Sequence, residues 1–229
     1  MKFWNYTLVG ILLIISDSTN AALVSRLGGL AYYDTEADLT WLADIQYART
    51  SGYSSDNANG ETFSSSTHIL ENGQMGWDAA LIWADQLNIN GVTGWRLPET
   101  FLPDSTCGAL YTNGPSGFNC TGSELGNMYY NVLGGEANTV FSAVHNSNYD
   151  LFSNLSNTFL WSATDTSNND VAWVFNIGVG HQTTKIKSFS FYAWAVHDGD
   201  VSTVPVPAAA WLFGSGLIGL VGFARRKNA

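Results

Sequence analysis

The chain has 229 residues, 45% of them hydrophobic, and a formal net charge of −10. This acidity argues against a nucleic-acid partner, because phosphate contacts need clustered Lys and Arg. The length suits one domain with a sizeable core, once an apolar segment at each end is set aside.

Residues 1–21 have the composition of a secretory signal peptide. A lysine precedes the apolar stretch 8–15, and small residues surround the expected cleavage point after Ala21. A first transmembrane helix is the weaker interpretation, because Asp17 interrupts the apolar run before it reaches spanning length. The functional body is then residues 22–203, which carry five Lys or Arg against eighteen Asp or Glu, a formal charge of −13. This charge also argues against sulfated or strongly anionic polymers, unless a divalent cation bridges the two.

The first part of the body predicts two short strands and then a long surface loop. Residues 27–44 place apolar side chains on both sides of a turn at 34–38, which is typical of paired strands. Residues 48–73 are rich in Ser, Gly, Asn and Asp and have few large apolar side chains, so we expect a loop there.

A helix is predicted over residues 76–87, where apolar side chains fall close to one face at helical spacing. Asp78 lies in its first turn, where the helix dipole favours an anion, and Gly91 and Gly94 are expected to end it. Pro98 then forces the Trp-Arg-Leu-Pro segment into an extended conformation. The expected buried stripe of the helix is Trp77, Ala80, Leu81, Ala84 and Leu87.

Both cysteines, Cys107 and Cys120, lie in an irregular region, residues 103–122, with flanks typical of loops. Because export places them in an oxidising compartment, we expect a disulfide that closes a loop of about a dozen residues. A metal pair is the weaker alternative, since the spacing contains no short ligand separation.

The rest of the body predicts two short helices, over residues 124–133 and 136–145, and then an antiparallel meander. Aromatic and small residues alternate in the last part, with turns at 165–170 and 178–181. The three predicted strands of the meander are residues 159–164, 171–177 and 189–196.

The turn at residues 165–170, Asp-Thr-Ser-Asn-Asn-Asp, is a candidate calcium site. Hard cations prefer such oxygen clusters, and Asp165, Asn168 and Asp170 would be the ligands. An Asx-type hairpin turn is the favoured alternative, because the run lacks the glycine and the terminal glutamate of an EF-hand loop. We expect no cofactor, and calcium at this turn is the one alternative.

The end of the chain combines a proline motif, an uncharged apolar run and a basic cluster. The run, residues 208–223, would form a helix of roughly 24 Å at ~1.5 Å per residue, slightly short of the ~30 Å hydrocarbon core. The basic cluster would hold the C-terminus on the cytoplasmic side. A plain membrane anchor and a buried core helix are the alternatives, and three adjacent cations disfavour the second. The flanking residues are Val204, Pro205, Val206 and Pro207 before the run and Arg225, Arg226 and Lys227 after it.

These three parts, in this order, resemble the PEP-CTERM sorting signal in its V-P-x-P variant. The resemblance implies that residues 204–229 are a substrate of exosortase, a membrane transpeptidase that cuts near the proline motif. It also implies a Gram-negative bacterium that makes an extracellular polysaccharide. We therefore expect a protein that is exported through the inner membrane and transiently anchored by residues 208–223. Its expected destination is the cell surface or the extracellular matrix.

Four pieces follow one another along the body: DLTWLAD (38–44), WDAALIWADQL (77–87) leading into GWRLPE (94–99), FLWSAT (159–164) with VAWVFN (171–176), and FYAWAV (191–196). In this order they resemble the Lcl C-terminal domain family of secreted bacterial proteins, over most of residues 30–200. The resemblance implies an α+β fold of C-type-lectin-like architecture, with small antiparallel sheets, one or two helices and long irregular loops. Members of that family usually carry an Arg after the last Ala-Val, where this chain has His197, so an anion contact by that Arg does not carry over.

Signatures of enzymes are scarce. The histidines have no metal-binding spacing, and we expect them in surface positions or loops. Most of the seven tryptophans of the body are expected to pack in the core rather than to stack on sugars, and Arg96 is expected to bond a carboxylate or backbone carbonyls. A ligand site, if one exists, is expected on the loops at residues 51–73, 104–122 and 165–170. The four histidines are His68, His145, His181 and His197.

The sequence therefore predicts a non-catalytic, lectin-like binding or structural domain. Its expected partners are exosortase, the membrane before processing, and extracellular polysaccharide. The alternatives are a secreted enzyme that acts on that polysaccharide and an adhesin that binds another cell surface. Carboxylates clustered in one cleft would favour the enzyme, and an exposed aromatic ring on a polar surface would favour the lectin or adhesin.

Overall fold

The computed structural model describes residues 22–59, 65–108 and 116–201. The predicted signal peptide, residues 1–21, and the predicted sorting signal, residues 204–229, lie outside these ranges. Within the described ranges, no helix is both long and apolar enough to cross a bilayer.

The larger sheet contains five antiparallel strands. They are β1 (Leu23–Arg26), β2 (Ala31–Asp34), β3 (Leu39–Leu42), β4 (Trp95–Arg96) and β8 (Val196–Asp198). Their order across the sheet is β1-β2-β3-β8-β4. The predicted turn at 34–38 does join β2 to β3, and β1 is an additional strand before the predicted pair. One row of the sheet runs through Leu23, Asp34, Leu39 and Asp198.

The smaller sheet is an antiparallel meander of three strands, β5 (Phe159–Asp165), β6 (Val171–Asn176) and β7 (His181–Ile186). The first two strands and both turns agree with the prediction, but the third predicted strand, 189–196, is wrong. Phe191 bridges to Met75 and Tyr192 bridges to Leu160, so this segment connects other elements instead of extending the meander. Its alternation of aromatic and small residues reflects burial, whereas the actual third strand is polar and mostly half-buried.

Four short α-helices accompany the sheets among the described residues. They are α1 (Tyr47–Thr50), α2 (Tyr53–Asn57), α3 (Trp77–Asp85) and α4 (Glu124–Asn127). The first two correct the prediction of a surface loop over 48–73, and Ser54 inside α2 is fully buried. α4 continues into a π-helical turn, Met128–Val132. The predicted helix at 124–133 is therefore present, but only its first half is α-helical and its second half is π-helical.

One predicted helix end is shifted, and one predicted helix does not form. α3 ends at Asp85, and Gly91 and Gly94 take positive φ angles in the following turn, where Ile89 and Val92 exchange backbone hydrogen bonds. No α-helix forms over residues 136–145 in this described part of the chain, since Phe141 N–H instead donates to the carbonyl of Gly178.

All seven tryptophans of the body are buried, as predicted. Three of them fix the relative position of distant segments through indole hydrogen bonds: Trp77 donates to Ser162 O, Trp161 to Met75 O and Trp194 to Leu42 O, at 2.7–2.9 Å. The seven residues are Trp41, Trp77, Trp83, Trp95, Trp161, Trp173 and Trp194.

The sheets and helices together confirm the predicted α+β fold class, with small antiparallel sheets, few helices and long irregular loops.

Candidate functional site

A polar cleft of about 680 Å³ lies between two loops and the start of α3. One side is formed by Ser65, Ser66 and Asp78. The other side comes from the turn between β5 and β6 and from the segment after β7. The residues of that second side are Asn168, Asn169, Asp170, Val171, Ile186, Lys187 and Ser188.

The serine side of the cleft is fixed by α3. The carbonyl of Ser66 accepts the N–H of Ala79 at 3.1 Å, and the hydroxyl of Ser66 donates to the Asp78 carboxylate. A Cβ atom at Gly76 would overlap the Ser66 carbonyl, so this close approach requires glycine. The first turn of the helix therefore holds Asp78 at the cleft and favours its negative charge.

His68 is hydrogen-bonded to the serine side of the cleft. It lies in a loop, as one of the two predicted settings, and it is fully buried. Its Nδ1 lies 2.6 Å from the carbonyl of Ser65 and its Nε2 lies 2.7 Å from the hydroxyl of Ser190. Because a carbonyl can only accept, Nδ1 carries a proton, and in the neutral ring Nε2 accepts the Ser190 hydroxyl. The histidine thus connects the cleft edge to the segment after β7.

The opposite side is an Asx-type turn, the alternative that the sequence favoured over a calcium loop. Asp165 Oδ1 accepts the N–H of Thr166 at 2.7 Å, and Asn168 Oδ1 accepts the N–H of Asp170 at 3.1 Å. Two of the three candidate calcium ligands therefore bond within the turn. The third, Asp170, is exposed in the cleft, and no described residue hydrogen-bonds to its carboxylate.

Lys187 joins the two sides. Its ammonium lies 2.8 Å from the Asp165 carboxylate and 4.2 Å from the centroid of the Trp77 ring. Its backbone N–H donates to Asp170 O, and its carbonyl accepts the N–H of Trp77. The ammonium therefore lies beside Asp165, where a bound cation would have to be. Lys187 and the serine pair were not singled out from the sequence, and no local pattern distinguishes them.

The charges at the cleft leave a negative excess. Lys187 is the only cation among the described residues that line it, and Asp165 already neutralises that charge. Asp78 and Asp170 remain as two carboxylates from opposite sides. Two apolar side chains, Val171 and Ile186, complete the lining. Phe189, which comes directly after the lining residue Ser188 in the sequence, is 37% exposed.

Arg96 lies in a separate, structural cluster. Its guanidinium donates to Glu124 at 2.8 and 2.7 Å, to Asp198 at 3.0 and 2.5 Å, and to the carbonyl of Leu97 at 3.0 Å. Hydrogen bonds with Glu124 raise the pKa of Arg96 above its ordinary value, against a smaller opposing effect of burial. This confirms the prediction of carboxylate and backbone bonding. His197 packs edge-on against Trp95.

The two cysteines lie at bonding distance. The sulfurs of Cys107 and Cys120 are 2.16 Å apart, and both residues are buried. Asp104 lies beside them, so these three residues have the proximity of a metal site. The bonded sulfurs are not thiolate ligands, and Asp104 instead accepts hydrogen bonds from Thr106 and Ser123.

The candidate loops contribute unequally to the cleft. The loop 51–73 supplies Ser65 and Ser66, and the turn 165–170 supplies three further residues. None of the described residues of 104–122 lines it. The predicted sorting motif, residues 204–207, and the basic residues 225–227 lie outside the described residues.

Comparisons with protein-family models, with curated proteins and with solved structures found no match to this chain. The two resemblances noted from the sequence therefore rest on the motifs themselves.

Proposed function

We propose that the body is a non-catalytic carbohydrate-binding domain of an exported bacterial surface or matrix protein, and that the polar cleft is its binding site. The observation that carries the proposal is the lining of this cleft. Hydroxyls of Ser65 and Ser188, amides of Asn168 and Asn169, and carboxylates surround a space of about 680 Å³, which suits a few sugar rings. Such side chains match the hydroxyl groups of a sugar, which both donate and accept hydrogen bonds.

Rigid support of the site favours binding over a purely structural role. Both sides are held by backbone hydrogen bonds to regular elements, through Ala79 on one side and Lys187 on the other. A preorganised site loses less conformational entropy when a ligand binds. Exposed Asn169 lies in the lining without a described side-chain bond, so its amide is available to a ligand.

The test is a calorimetric titration of residues 22–203, which contain the whole described fold, with the extracellular polysaccharide of the producing bacterium. We expect saturable binding without shortening of the polymer, and we expect Asn169→Ala to weaken it several-fold. Asn131→Ala is the matched control, because Asn131 is also exposed but lies outside the cleft. Absence of binding, or equal effects of the two variants, would contradict the proposal.

One observation favours the enzyme alternative: the cleft brings Asp78 and Asp170 together from opposite sides. Glycoside hydrolysis commonly uses two carboxylates. The same titration discriminates, since new reducing ends that disappear in Asp170→Asn would establish a hydrolase and replace the binding proposal. Binding to intact foreign cells, without binding to the producer's polysaccharide, would support the adhesin.

We also propose that residues 204–229 are an exosortase sorting signal, with Val204, Pro205, Val206 and Pro207 as the recognition motif. The supporting observation is the order of proline motif, apolar run and basic cluster at the end of the chain. Mass spectrometry of the protein from cells with an active exosortase should find a C-terminus near Pro207. An intact tail ending at Ala229 would refute this part.

A further inference from the structure

We infer that the polar cleft prefers glycans that carry protonated amino groups, such as glucosamine units, over neutral or acidic glycans. This inference rests on the proposed carbohydrate-binding function and names the class of sugar. It starts from the balance of charge in the cleft. The ammonium of Lys187 is already engaged by Asp165 at 2.8 Å, so it offers no free charge to an anionic ligand.

Two carboxylates with different support remain for a ligand. Asp78 lies in the N-terminal turn of α3 and accepts a hydrogen bond from the Ser66 hydroxyl. The backbone of Asp170 is fixed on both sides, by Asn168 Oδ1 at its N–H and by the N–H of Lys187 at its carbonyl. Its carboxylate makes no hydrogen bond with any described residue and is exposed. One anchored and one available carboxylate therefore line the same space.

The protein itself already places an ammonium in this environment. Lys187 lies between the face of the Trp77 ring and the Asp165 carboxylate, which are the two groups that attract an ammonium most directly. The neighbouring carboxylates extend this negative surface into the open cleft. The body as a whole, with five cations against eighteen acids, reinforces the attraction at long range.

Side-chain chemistry favours an amino sugar over a basic peptide. The cleft offers hydroxyls and amides of Ser65, Ser188 and Asn169 as hydrogen-bonding groups. An extended peptide is usually bound through its backbone along a sheet edge. A polyamine or Lys-rich peptide carries ammonium groups but no hydroxyls that would pair with these groups.

The experiment compares three probes of equal length: oligomers of glucosamine, of N-acetylglucosamine and of lysine. It is done at about pH 6, where primary amines with a pKa near ~8 are charged. We expect the glucosamine oligomer to bind the body at least about five-fold more tightly than the acetylated one in low salt. The preference should shrink at higher ionic strength, because exposed charges are screened.

Two charge variants locate the effect. We expect Asp170→Asn to weaken glucosamine binding roughly three-fold, which corresponds to a partly exposed ion pair, and to weaken binding of the acetylated oligomer by a clearly smaller factor. Asp150→Asn removes the same charge at an exposed position outside the cleft and should change neither.

The outcomes separate the two proposals. Equal binding of both sugar oligomers, with loss in Asn169→Ala, would overturn the amino-sugar inference and leave the carbohydrate site standing. Equal losses in Asp170→Asn and Asp150→Asn would overturn it as well, because the attraction would then be non-specific. Tighter binding of the lysine oligomer would replace the sugar with a peptide, and no binding of any probe would refute both proposals.

Discussion

Arg96 binds both carboxylate oxygens of Glu124 through its two terminal nitrogens, at 2.8 and 2.7 Å. Glu124 is 9% exposed, and its carboxylate also accepts the backbone N–H of Glu99 at 2.7 Å. The pair thereby joins the edge strand β4 of the larger sheet to α4. A planar, bidentate contact of this kind is specific to arginine.

The first prediction concerns this pair. Arg96→Met leaves a nearly buried carboxylate without its counter-charge, which costs several kcal/mol in a protein interior. Because Arg96 itself is partly exposed, we expect a loss of about 2–4 kcal/mol in the free energy of unfolding, measured by urea denaturation. Asp198→Asn is the control: its side chain is 75% exposed, so we expect a loss below about 1 kcal/mol. Equal losses would show that the Glu124 contact has no special weight.

The second prediction concerns the disulfide. Cys107 and Cys120 are separated by 13 positions, and a loop of that size is worth roughly 3 kcal/mol in the chain-entropy model. For a domain of this size we expect reduction to lower the melting temperature by roughly 6–12 °C. The double variant with serine at both positions should melt at the reduced temperature with or without reductant. A wild-type protein that is indifferent to reductant would contradict the prediction.

The third prediction is a pH dependence at His181. Burial, and to a lesser extent the charge of Lys185, lowers the pKa of His181 in the folded state. The unfolded chain takes up the proton near the ordinary value of about 6.5, and the folded state does so only at lower pH. The free energy of unfolding should therefore fall as the pH drops below about 6.5.

His181→Gln tests this directly. The difference in melting temperature between wild type and variant should shift against the wild type between about pH 7.5 and pH 5, because only the wild type must protonate an unfavourable site. His145→Gln, at an exposed histidine, should give a smaller shift. A constant difference across this range would rule out the coupling.

The fourth prediction concerns calcium. Because Lys187 bonds Asp165 and Asn168 bonds within the turn, we expect millimolar calcium to raise the melting temperature of the wild-type body by less than about 1 °C. Lys187→Met removes the competing ammonium while keeping an apolar stem over Trp77. A calcium-dependent rise confined to that variant would show that the lysine occupies the cation position. A clear rise in the wild type would restore the three-ligand calcium site.

Elements with local signals were predictable from the sequence. Helix α3, the turn before β3 and the first two strands of the meander follow from periodicity and turn residues. The third strand was misassigned, because β7 is polar and only partly buried, while 189–196 is apolar and contacts distant segments. Residues that are buried by contacts with distant segments show no periodic pattern in the sequence, so a strand cannot be assigned from their hydrophobicity.

The cleft was only partly predictable for the same reason. Turn chemistry marked the residues around Asp170, and loop composition marked the region of Ser66. Their meeting depends on Lys187 and on the buried His68, whose partners are remote in sequence. No spacing rule relates position 68 to position 190, so the meeting of the two loops could not be inferred from the sequence.

The ends of the described chain are neighbours. Asp198 ends β8 in the same row in which Leu23 begins β1, and two residues later Asp200 forms an ion pair with Arg26 of that first strand. Any segments attached before Ala22 and after Val201 would therefore emerge close together. A partner fused at either terminus would therefore begin on the same side of the domain.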